Sequence, residues 1–148
     1  MIIRIASWVA RIAGVLALLL GGLFWLAELG IVNTPFVFDP VYIDLHMLTG
    51  ILVTLALLML AIAQMVRGRP RAIGVVGVVY ALVVPIFGEL QLRLYIDGAP
   101  WLVPTIHLLI GVGAIGLAQN LAGRLSRLDP PTSRSAAPEG VGVPSATR

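Results

Sequence analysis

The chain holds two histidines, His46 and His107, and no cysteine among its 148 residues. Each stands in the same setting. Glu28, His46 and Gly50 recur as Glu89, His107 and Gly111 at a constant shift of 61 residues, with Leu29/Leu90 and Leu48/Leu109 falling into the same register. Imidazole is the side chain that ligates metals or moves protons near neutral pH, and the lack of cysteine removes thiolate sites and disulfides. A carboxylate can join a histidine on a hard metal or accept its free ring N–H. A glycine four residues after a histidine lies one turn along the same helix face. It lets a flat group held by the imidazole approach the backbone, and it equally serves close helix packing.

The elements that position these residues are apolar helices. The sequence is 59% hydrophobic with only 11% charged residues, about half the charge of an ordinary soluble domain, and its mean hydropathy is +1.00. Stretches of roughly 20 apolar residues span a bilayer as helices. Four are legible, over about 12–32, 41–66, 72–92 and 101–122, and none shows the alternation of a barrel strand. Short connections at 33–40, 67–71 and 93–100 imply antiparallel neighbours. The expected fold is an all-α, four-transmembrane-helix, up-down-up-down bundle over residues 1–123, read as two duplicated parallel hairpins. Pro40, Pro70 and Pro104 mark helix starts, whereas Pro85 falls inside the third span, where it removes a backbone donor.

Arginine supplies all ten cations. Arg4, Arg11, Arg67, Arg69, Arg71, Arg124, Arg127, Arg134 and Arg148 fall on one side of the spans; Glu28, Asp39, Asp44, Glu89 and Asp97 fall on the other, with Arg93 as the lone cation there. The positive-inside rule places the arginine-rich side, and both termini, in the cytoplasm of a bacterial inner membrane. Trp8, Trp25, Tyr42, Tyr95 and Trp101 suit the interfaces. The bulky Trp25 at a potential cleavage site favours an uncleaved first span over a signal peptide. Residues 124–148, rich in Pro, Ser, Thr and Ala, read as a disordered cytoplasmic tail. The scattered arginines make no nucleic-acid surface, leaving lipid, other membrane subunits or a redox partner as the expected contacts.

In an up-down-up-down bundle the second and fourth spans are diagonal, so His46 and His107 come to one depth near the acidic side. With neighbouring axes about 8–10 Å apart, the diagonal is roughly 12–14 Å, which leaves room for two imidazoles and something between them. Three occupancies are open. One is a haem iron ligated axially by His46 and His107, with Gly50 and Gly111 beside the macrocycle and Arg93 facing a propionate. The second is a purely structural pair. The third is another metal or proton-handling site, to which Glu28 and Glu89 on the other diagonal would add ligands. Glu89 also has an ordinary role as the i,i+4 partner of Arg93. No hydrolase triad, phosphate loop or dinucleotide fingerprint is present, and no catalytic residues stand out.

Leu45-His46-Met47-Leu48-Thr49-Gly50 and Ile106-His107-Leu108-Leu109-Ile110-Gly111, with Glu89-Leu90-Gln91 before an outer loop, resemble small four-span membrane haem bundles. These are the cytochrome b561-like proteins and one half of the haem A synthase fold. The resemblance covers about residues 10–122. It implies haem b, axial roles for His46 and His107, and electron transfer or haem handling. Two histidines in place of four would limit the chain to one haem, and the polar signatures of haem A synthase are incomplete, so its oxidase chemistry does not carry over. The alternative is a non-catalytic scaffold or accessory subunit.

Overall fold

The structure is a computed structural model describing residues 1–94, 96–99 and 101–128, leaving out the side chain of residue 92. The expectations for Tyr95 as an interfacial ring and for the tail beyond residue 128 lie outside the described residues. Four helices make up the fold: α1 (Ile2–Glu28), α2 (Pro40–Arg67), α3 (Arg71–Leu90) and α4 (Leu102–Ser126), with 3-10 turns at Pro35–Phe38 and Gln91–Arg93. Among the described residues there is no strand. Consecutive helices pack as antiparallel neighbours and α4 closes back on α1, which is the expected up-down-up-down bundle.

The first span differs from its expected bounds. Nothing between Ile2 and Ile12 breaks a helix, so α1 starts ten residues before the expected 12, at Ile2, and carries Arg4 and Arg11 within it. It ends at Glu28 because Gly30 turns the chain with φ +70°, a conformation open to glycine but not to most side chains. Residues 31–34 then lead into the Pro35–Phe38 turn, whose Val37 is fully buried. Phe24 against Phe38 and Phe36 against Tyr42 fasten that turn to the bundle end. α2 is capped by Asp39, whose carboxylate accepts the Val41 N–H at 3.0 Å. Pro85 is accommodated inside α3. α4 runs through Ser126, so the helical domain continues past the boundary expected at 123.

α2 and α4 touch across the bundle, whereas α1 and α3 make no close backbone approach among the described residues. The reason lies in side-chain size. α1 turns Ala6, Ala10, Ala13 and Gly14 inward, and α3 turns Gly74, Gly77 and Ala81 inward. The large buried side chains, Leu57, Leu60, Leu121 and Leu125, come from α2 and α4. Two helices therefore supply the bulk and two supply small-residue surfaces for it to press against. This core fills the arginine-rich half of the bundle and stops near Thr49, whose hydroxyl bonds back to the carbonyls of Leu45 and His46.

Gly74 is the tightest of these surfaces toward backbone: an added Cβ would lie 2.5 Å from Met65 Cγ and 2.8 Å from the Ala61 carbonyl oxygen. Gly74→Leu should destabilise the protein in detergent by about 1–3 kcal/mol, the usual range for overpacking. Gly123→Ala, where an added Cβ meets nothing within 4 Å, should raise stability by roughly 0.5–1 kcal/mol. Denaturant titration followed by circular dichroism measures both.

Candidate functional site

Beyond the leucine core, toward the acidic end, α2 and α4 present His46 and His107. His46 sits six residues into α2 and His107 five residues into α4, so at 1.5 Å per residue both lie about 8–9 Å below the helix starts. Their ring centroids are 6.3 Å apart, with the planes at 64°. The diagonal is thus shorter than equal spacing of four helices would make it, because α2 and α4 are the touching pair. The two residues singled out by sequence are brought together.

Each ring is seated on a glycine of the helix before its own. His46 Cε1 would stand 2.8 Å from a Cβ built on Gly21 of α1, and His107 Cε1 would stand 3.4 Å from one on Gly88 of α3. Phe87 stacks on His107, with ring centroids 6.1 Å apart and planes within 10°. The His46 ring also reaches the Ala17 carbonyl, one turn before Gly21 on α1. Both rings keep a buried Nδ1 without a hydrogen-bond partner among the described residues, an expensive state for a polar atom unless something meets it. Gly21, Gly88 and Phe87 were not among the sequence candidates. The signal that marks them is a small residue on the preceding helix, on the acidic side, but the chain's 16 glycines dilute it.

Gly50 and Gly111 both border open space, where a Cβ on either would meet nothing within 4 Å. Helix packing therefore uses neither glycine, and a flat surface one turn beyond each histidine is left uncovered. The glutamates go elsewhere. Glu89 pairs with Arg93 at 3.6 Å, with both side chains largely exposed. Glu28 is exposed at the last residue of α1, seven residues beyond the glycine that seats His46. Among the described residues no three His, Asp or Glu side chains gather into a metal-holding group. The carboxylate-rich metal site fails because Glu89 turns outward to its i+4 arginine and Glu28 is carried about 10 Å past the His46 level. Arg93 stands with Glu89 at the exposed end of α3.

Four helices, each long and apolar enough to cross a membrane, define a multi-pass integral membrane bundle with a bis-imidazole pair in its interior. The chain matches no family model, no curated protein and no solved structure.

Gly21 controls the position of His46, since a side chain there would displace the ring. Gly21→Val should shift the His46 imidazole resonances in a 13C/15N-histidine NMR spectrum and leave those of His107 in place. Thr54→Val, at a buried hydroxyl without a partner among the described residues, should shift neither.

Proposed function

We propose that the protein is a single-haem membrane cytochrome or haem-handling subunit, with His46 and His107 as axial ligands, both termini in the cytoplasm and the histidines toward the outer face. The observation that carries the reading is the 6.3 Å separation of the two rings. Two imidazoles bound to one iron at about 2 Å per bond hold their centres roughly 6 Å apart. Support also comes from the buried, unpartnered Nδ1 atoms and from the open faces at Gly50 and Gly111. Haem bound there supplies a one-electron carrier. The chain's own part is to hold two imidazoles across from each other, to seat them on Gly21 and Gly88, and to keep water away with apolar walls. The arginine-rich end of the bundle supports the orientation through the positive-inside rule.

A second reading has its own observation. The stacking of Phe87 on His107, with the seat of His46 on Gly21 and near the Ala17 carbonyl, is also how a structural ring pair packs in a scaffold protein.

Purified protein expressed with ample haem should show a Soret band in its absorption spectrum, lost in His46→Ala and in His107→Ala. Gly50→Leu and Gly111→Leu, which fill open space, should fold with wild-type helicity and cut haem occupancy several-fold. A colourless wild-type protein sinks the haem reading and leaves the scaffold.

A further inference from the structure

The cytochrome reading makes no use of the arginine-rich half of α1, which carries a second arrangement of charge and apolar surface. Arg4, Trp8 and Arg11 are spaced i, i+4 and i+7, which puts them on one helix face. Arg4 and Trp8 line a cavity of about 810 Å³ that runs along α1 past Ile5 and Ile12 to Leu16 and is bounded across α2 by Thr49 and Leu52. The Arg11 guanidinium lies over the Trp8 ring, 5.5 Å from its centroid. Its Nε donates to Gln119 Oε1 of α4 at 2.6 Å.

The depth of these groups is informative. Arg11 lies nine residues from the start of α1, so its Cα is about 13 Å inside the helix end, a costly place for a lipid-facing charge. Helical side chains slope toward the N-terminus, and stacking on Trp8 draws the guanidinium back one turn toward the surface. Its Nε is held by Gln119, while its terminal nitrogens have no partner among the described residues. Gln119 Nε2 is buried and has no acceptor among the described residues. Arg11 and Gln119 do not line the groove themselves but border it through the Trp8 ring, and at that border donors and positive charge exceed acceptors. From Arg4 to Leu16 the groove covers twelve residues, about 18 Å, close to the roughly 15 Å of hydrocarbon in one leaflet. Its far wall, Thr49 and Leu52, is at the middle of α2.

We infer that this groove is a seat for one anionic phospholipid of the leaflet on the arginine-rich side. The phosphodiester lies between Arg4 and Arg11 above the Trp8 indole and supplies the missing acceptor oxygens. One acyl chain follows Ile5, Ile12 and Leu16 to the bilayer centre. A zwitterionic lipid fits the same apolar wall, but its cationic headgroup offsets the attraction. The preference for net negative charge should thus come from the two arginines, at about five-fold each near a membrane surface.

The test uses the full chain with Trp25→Phe and Trp101→Phe, which leaves Trp8 as the one tryptophan. It is reconstituted in vesicles with acyl-brominated phosphatidylglycerol competing against unlabelled phosphatidylcholine, and in the reverse pairing. Trp8 fluorescence should be quenched several-fold more effectively by the brominated anionic lipid at equal mole fraction. Arg4→Gln and Arg11→Gln should each bring the two lipids closer to parity, while Arg71→Gln, at the start of α3, which does not touch α1 among the described residues, should change nothing. Equal quenching by both lipids in the unsubstituted arginine background overturns the proposal. So does a Trp8 that neither lipid quenches, which marks the groove as covered by a second copy of the chain.

Discussion

Everything in this bundle depends on the asymmetric division of side-chain volume between its helices. Association in lipid gains little from hydrophobic transfer, because the membrane is as apolar as leucine, so packing contact must carry it. Ala6, Ala10 and Ala13 on α1, and Gly74, Gly77 and Ala81 on α3, admit the leucines of α2 and α4 at close range. The touching diagonal, the filled arginine-rich half and the 6.3 Å spacing of the histidines all follow. Bulk on α1 and α3 would have pushed α2 and α4 apart, and the imidazoles with them.

The parts of this arrangement legible in the sequence were those governed by a single dominant rule. Apolar runs of sufficient length mark spanning helices whatever they pack against, so all four were found, and Pro40 marked the start of α2, where the structure adds the Asp39 cap. Common depth of His46 and His107 followed from topology alone. The start of α1 was misread because Arg4 and Arg11 looked like flanking charges. An arginine is a good helix former with a long apolar stem, and it can remain within a span when its head returns to a polar neighbour such as Gln119. Glu28 and Glu89 matched in sequence but not in space, since side-chain direction and local ion pairing decide what a carboxylate meets. The glycines that seat the rings were illegible because their role depends on which helix face meets which neighbour.

The two ends of the bundle have different material character. Toward the arginine-rich end, Leu57, Leu60, Leu121 and Leu125 are fully buried in continuous packing. Toward the acidic end stand two imidazoles, each with a buried Nδ1 that has no partner among the described residues, and Gly50 and Gly111 border open space, while Val37 of the Pro35–Phe38 turn is buried.

The sequence repeat is imperfect in space. A strict shift of 61 residues would carry Gly21 to position 82, yet the glycine that seats His107 is Gly88, six residues further along α3. The first helix of one hairpin has slid against its partner by nearly two turns relative to the other hairpin, while the histidine-bearing helices kept their register. The pair therefore lacks two-fold equivalence. His107 has the parallel, offset Phe87 ring beside it as well as Gly88, whereas His46 has Gly21 without such a ring. Two sequence settings that match at the histidines thus hold their rings by different contacts, and the two sides of the pair are not equally restrained.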